Sequence, residues 1–207
     1  MLFKRFIWLS MLAGILITQV ASASTLLVMG DSLSAAHNMR PEAGWVSLLQ
    51  AQLSETHPEV TVINASVSGE TTQGGLSRFN QLLLEYSPQW VILELGANDA
   101  LRGYPLDQTS NNLEQMVDQA QQLNAKVLLV GNHIPQNYGK RYTEMFYNLY
   151  QRIADDYELA YVPFMLDGVA LDKSLMQSDG LHPNQDGQPL VLENILPHLL
   201  PLMAESE

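Results

Sequence analysis

The 207-residue chain contains no cysteine. That excludes disulfide staples, a thiol nucleophile and cysteine-ligated zinc. A chain of this length buries enough surface to fold without staples. Basic residues are scarce, 10 Lys and Arg against 22 Asp and Glu, for a formal net charge of −12. Nucleic acid would need a basic face, and anionic lipid would repel such a chain. Neither H-E-x-x-H nor a His-x-His pair occurs, so the histidines carry no ready metal signature and no metal is expected. No period of 20 to 50 residues recurs and no low-complexity linker breaks the chain, which excludes repeat architectures and leaves one domain as the default.

What is present begins with the N-terminus. "MLFKR" supplies two positive charges, "FIWLSMLAGILITQV" is an apolar run of fifteen residues, and Ala21-Ser22-Ala23 is a small-x-small pattern. Fifteen residues fall short of the ~20 a membrane span needs. The segment reads as a secretory signal peptide, residues 1–23, cut near Ala23. Its removal takes Lys4 and Arg5, leaving 8 basic and 22 acidic residues, a net charge of −14. The mature chain, 24–207, is then expected in the periplasm or outside the cell, with no integral membrane association.

Past that point short apolar runs alternate with helical spacing. "TLLVM", "VTVINA", "WVILEL", "KVLLVG" and "LAYVPF" read as five strands. Between and after them, "GWVSLLQAQL", "LSRFNQLLLEY", "LEQMVDQAQQL", "RYTEMFYNLYQRIADDY" and "VLENILPHLLPLM" repeat apolar residues at i, i+3 and i+4, the last one interrupted by prolines. Strands apolar on both faces, alternating with amphipathic helices, predict a mostly parallel five-stranded sheet covered on both sides. This is a flavodoxin-like α/β/α sandwich. Ligands of such sheets bind beyond the carboxyl ends of the strands. The loops that follow each strand therefore carry the functional information.

Those loops are "GDSLS", "SVSGETT", "GAND", "GNHIPQNYG" and "SDGLHPN". Each piece has a plain structural reading on its own. Ser32 could cap a helix, Gly69 could form a turn, Asn98 could form an Asx turn, and His182 could sit on the surface. Asp31 and Asp99 read as caps or turn residues. Together the loops hold what acyl transfer needs. A serine becomes nucleophilic when a base takes its proton, and a histidine suits that task. A carboxylate three residues before the histidine, in Asp179-Gly-Leu-His182, can orient the imidazole. The other histidines, His37, His57, His133 and His198, receive no role, with His133 the best placed of them. The α/β-hydrolase elbow G-x-S-x-G is absent, since Ser34 stands where its second glycine would be.

"GDSLS", a glycine after strand two, "GAND" and "DGLHPN" stand in the order and approximate spacing of the four blocks of the SGNH (GDSL) hydrolases, which the mature chain resembles over essentially its whole length. The resemblance implies Ser32 as nucleophile, His182 as base and Asp179 as its orienting carboxylate. It implies an oxyanion hole of the Ser32 and Gly69 backbone N–H groups and the Asn98 side-chain amide. Ala97 stands at a position where the family varies. The resemblance also implies a serine esterase or thioesterase that acts on acyl esters, lysophospholipids and acyl-CoA without a cofactor, and a monomer is expected.

"LRGYP" follows the Asn98 block, so Leu101 and Tyr104 are candidates for the wall of an acyl groove. Acyl-CoA is polyanionic and so is this chain, so long-range steering opposes their encounter. Lysophospholipids and simple acyl esters are therefore the expected working substrates. A carbohydrate O-acetylesterase on the same scaffold and a non-enzymatic binding module are the alternatives. No phosphate-cradling G-x-G-x-x-G follows strand one to support the latter.

Overall fold

The computed structural model describes residues 24–204. The expected signal peptide lies outside the described residues. Five parallel strands form one sheet in the order β2-β1-β3-β4-β5. They are β1 (Ser24–Gly30), β2 (Val60–Asn64), β3 (Trp90–Glu94), β4 (Lys126–Val130) and β5 (Ala160–Val162). The helices are α1 (Trp45–Thr56), α2 (Thr72–Tyr86), α3 (Ala97–Leu101), α4 (Leu106–Gln122), α5 (Lys140–Asp156) and α6 (Gln188–Ala204).

The alternation of strand side chains divides the core in two. Leu26, Val28, Ile92 and Leu128 point to the side covered by α1 and α6, where they meet Trp45, Leu49 and Ile195. Leu27, Met29, Val91, Leu93 and Leu129 point to the opposite side, against Phe79 of α2, Met116 of α4 and Phe146 of α5. This is the expected three-layer sandwich. Each fully buried Leu, Val or Ile contributes roughly 1.5–3 kcal/mol relative to exposure. The central strands β1 and β3 are buried throughout most of their length. They form the rigid support for the loops above them.

Two helices start earlier than their apolar spacing indicates. Thr71 caps α2 through its hydroxyl, which accepts from the Gly74 N–H at 3.2 Å; the Gly74-Gly75 pair hides that first turn in the sequence. The first turns of α4 bury Thr109, Ser110 and Asn112, polar residues that carry no apolar periodicity. Helix α6 runs unbroken through Pro197 and Pro201. Both prolines are exposed. Water therefore reaches the carbonyls that lose an intrahelical partner.

Register matters most at the top of β1. Parallel pairing sets Gly30 beside Glu94. A Cβ at position 30 would lie 2.8 Å from the Glu94 carboxylate and 2.7 Å from Ser34, so only glycine permits this approach.

Candidate active site

The loop after β1 is a tight turn. The Asp31 side chain accepts the Leu33 N–H at 3.0 Å, and the Asp31 carbonyl accepts the Ala35 N–H at 2.9 Å. These bonds hold Ser32 at the mouth of the turn. Far along the chain, the loop after β5 returns to the same edge and carries Asp179 and His182. The His182 Nε2 lies 2.8 Å from Ser32 Oγ, and its Nδ1 lies 2.7 Å from Asp179 Oδ2. The carboxylate accepts a hydrogen bond from Nδ1–H, so the neutral ring keeps its proton there and presents Nε2 to the serine as an acceptor.

Asp179 is held in turn by its own loop. Its second oxygen accepts the N–H groups of Leu181 at 2.9 Å and His182 at 3.1 Å. Burial alone would raise its pKa. The Leu181 N–H, the His182 ring and the His182 N–H outweigh that and bring it down to about 2. The carboxylate is therefore charged across the working pH range.

Asn98, at the start of α3, donates its side-chain amide to Asp31 at 2.9 Å. That bond fixes which end of the amide is nitrogen and leaves its second N–H free to face the cleft. Gly69 sits in the loop after β2 with φ +79°, a left-handed conformation that strains any other residue. The Arg102 guanidinium donates to the Gly69 carbonyl at 2.8 Å and anchors that peptide. Ser32, Gly69, Asn98 and His182 all line one cleft of about 350 Å³. Its remaining wall is largely apolar, with Leu33, Leu101, Ile134, Pro135, Leu166 and Leu181.

Of the sequence candidates, Ser32, Asp179, His182, Gly69, Asn98 and Leu101 therefore come together. Tyr104 does not line this cleft. It is exposed on the loop beyond α3, where its carbonyl accepts the Tyr142 hydroxyl at 3.4 Å. The turn after Gly103 carries it outward. Asp99 is buried and accepts both the backbone N–H and the hydroxyl of Thr72, at 2.8 and 2.6 Å. It ties α3 to the start of α2, the structural part expected of it. Among the described residues, His37, Asp179 and His182 form the group compact enough to hold a metal ion. Asp179 and His182 are already bonded to each other, an arrangement suited to proton transfer.

Sequence reasoning passed over Glu94. It closes the apolar strand "WVILE", and it is 1% exposed. One of its oxygens accepts the Ser34 hydroxyl at 2.7 Å and the Asp31 N–H at 3.3 Å. A carboxylate inside a buried strand is itself a signal, because such groups are rarely enclosed without a partner. Burial first, then the neighbouring Asp31, push Glu94 well above the ordinary carboxylate range. Burial likewise raises Asp31 to about 6, against the opposing pull of the Leu33 N–H, His182 and Asn98. Both enclosed carboxyls therefore bind their protons more tightly than the unfolded chain does.

The consequence for stability has a definite sign. A carboxyl with a raised native pKa binds more protons folded than unfolded, so stability falls as pH rises above its ordinary value. Glu94→Gln keeps an oxygen to accept from Ser34 and Asp31 and has no proton to lose. Its melting temperature should exceed that of the wild type at pH 8, by at least ~2–4 °C, and match it near pH 4. Calorimetry at the two pH values decides this; an equal loss at both would show that ionisation of Glu94 does not set the stability.

His37 was given no role, yet its ring lies 4.4 Å from that of His182 and it lines the cleft. His133 also reaches the cleft, stacked on Phe164 with centroids 4.3 Å apart.

Residues 28–190 match the model of the GDSL-like lipase/acylhydrolase family. Esterase TesA of Pseudomonas aeruginosa is 47% identical over 93% of this chain and 96% of its own length. Thioesterase 1/protease 1/lysophospholipase L1 of Escherichia coli strain K12 is 40% identical over 89% of this chain and 88% of its own. A crystal structure of TesA superposes with a TM-score of 0.84, at 47% identity, covering 86% of this chain and 99% of that one. A match over more than half the chain, an identity of this order and the shared architecture agree: the chain belongs to the GDSL-like lipase/acylhydrolase family and acts on ester bonds.

Proposed function

We propose that this ester and thioester hydrolase works through an acyl-Ser32 intermediate, with medium and long acyl chains held in the apolar half of the cleft. The observation that carries the mechanism is the unbroken chain Ser32–His182–Asp179, at 2.8 and 2.7 Å, opening into that cleft. His182 takes the hydroxyl proton as Ser32 Oγ attacks the acyl carbonyl carbon. The resulting oxyanion is met by the N–H groups of Ser32 and Gly69 and by the free N–H of Asn98. His182 then returns the proton to the departing alcohol or thiol. Water, activated by the same imidazole, releases the acid.

Leu101, Ile134, Pro135 and Leu166 supply the apolar wall. The negative charge of the chain favours lysophospholipids and neutral acyl esters over polyanionic acyl-CoA. The names of its relatives, an esterase and a thioesterase/lysophospholipase, support the same substrate range. Among the described residues no helix is long and apolar enough to cross a membrane. With its leader removed, residues 24–207 act as one hydrolase domain and a monomer in the periplasm or outside the cell.

A p-nitrophenyl ester series from acetate to decanoate tests the substrate reading, with an acyl thioester alongside. We expect kcat/KM to rise by at least tenfold from acetate to the medium chains. A preference for acetate would favour the O-acetylesterase alternative instead.

A further inference from the structure

We infer that the rim of the cleft is a docking face for zwitterionic lipid surfaces, from which the enzyme draws lysophospholipid. The inference rests on the acyl-ester reading above and adds how the substrate is delivered. Nine large apolar side chains are exposed among the described residues; Leu84, Leu123, Met145 and Leu200 lie on or at the end of helices, and the other five share one edge. Val67, Tyr104, Tyr138, Leu171 and Leu181 are each 38% exposed or more, and all five stand in loops after the carboxyl ends of strands. Three of them, Val67, Tyr138 and Leu181, stand at the cleft. Val67 precedes Ser68 and Gly69 of its lining, and Leu181 lines it directly. The Tyr138 hydroxyl donates to the carbonyl of Leu101 at 3.1 Å, and Tyr104 stands farther out, beyond the turn at Gly103. Leu171 is 99% exposed. It borders a hollow that shares Leu166 with the cleft.

Such exposure costs solubility unless something covers it. Tyrosines with a wet hydroxyl and an apolar ring are the residues that membrane–water interfaces select. Charge is arranged to match. Of the eight basic residues in the mature chain, Arg40, Arg102, Lys140, Arg141 and Lys173 are exposed on this same edge. Glu42, Asp107, Asp167, Asp172, Asp179 and Asp186 stand among them. The rim is therefore mixed in sign, as a headgroup that joins a phosphate to an ammonium requires. The opposite edge carries Glu55, Glu59, Glu85, Asp155, Asp156 and Glu158 at helix ends and the turns before strands. Acids are as many on the two edges, but the bases gather on the rim, so the opposite edge is the more negative and the cleft edge the one that faces a lipid surface. Long basic side chains can then lay their stems on lipid and reach the phosphates.

The double variant Val67→Glu/Leu171→Glu tests this. Binding is read by co-sedimentation with phosphatidylcholine vesicles, and turnover by rate against lysophosphatidylcholine concentration across the point where micelles form. Wild type should bind the vesicles and show a rate step of at least fivefold as micelles appear. The variant should lose both, while its kcat/KM on soluble p-nitrophenyl butyrate stays within twofold. No vesicle binding by wild type would overturn the inference. So would a variant that binds vesicles as well as wild type, or a wild-type dimer in light scattering that the variant dissociates, since the rim would then cover a second copy. Failure of wild type to hydrolyse p-nitrophenyl butyrate would instead overturn the acyl-ester reading, and vesicle binding would still decide the docking face.

Discussion

His182→Ala is expected to lower kcat on p-nitrophenyl butyrate by about 10⁵–10⁶-fold with little change in KM. The size follows from what the side chain does. A serine hydroxyl is a poor nucleophile at neutral pH, and Nε2 at 2.8 Å is the acceptor in line with it. Removing the ring leaves Ser32 without a base and the leaving group without an acid. KM should hold because the proposed acyl wall of Leu101, Ile134, Pro135 and Leu166 is not touched by the substitution. Asp179→Asn should cost less, about 10⁴-fold. The ring survives, but the amide disfavours the tautomer that presents a lone pair to Ser32. Both variants should fold, since His182 and Asp179 lie on a surface loop with the Asp179 carboxylate bonded chiefly to its own neighbours. A His182→Ala enzyme within about a hundredfold of wild type, with its melting temperature unchanged, would remove His182 from the mechanism.

Asn98→Ala is the second large effect, about 10²–10³-fold in kcat. Its amide N–H is directed by Asp31, so the donor is fixed before substrate arrives and needs no reorganisation. Truncation also takes one donor from the buried Asp31 carboxyl, so a modest fall in melting temperature should accompany the loss. The kinetic signature separates the two consequences. An oxyanion donor acts only on the transition state, so KM should stay near wild type while kcat falls. A rise in KM with kcat preserved would mean that Asn98 binds ground-state substrate.

The sequence showed the sheet and the reactive residues more readily than what supports them. Strand runs such as "LLVM" and "WVILEL" are apolar because both faces are covered, and their loops had to meet at one edge. Ser32, Asp179 and His182 were legible because their types and spacing carry chemistry, and Gly69 and Asn98 only through the resemblance to the family's blocks. Glu94 was not, although its position in a buried strand was visible. Only the parallel register of β1 and β3, with Gly30 beside Glu94, shows that it lies against Asp31 and Ser34. The bond from Ser34 to Glu94 is hidden for the same reason. Arg102 was hidden differently, since its bond to the Gly69 carbonyl joins the loops after β2 and β3. Tyr104 was set beside Leu101 on proximity in sequence alone, and the turn at Gly103 separates them. The early starts of α2 and α4 were obscured by glycine and by buried polar residues, which carry no apolar period.

An acyl-serine mechanism stands or falls on one side chain. Incubation with an organophosphate ester, followed by mass spectrometry of the intact chain and its peptides, measures this directly. The mechanism predicts one dialkylphosphoryl group per chain, attached to Ser32, with loss of esterase activity in step with labelling and no label on Ser32→Ala. Labelling of Ser34 or another residue, or undiminished turnover by Ser32→Ala, would contradict it.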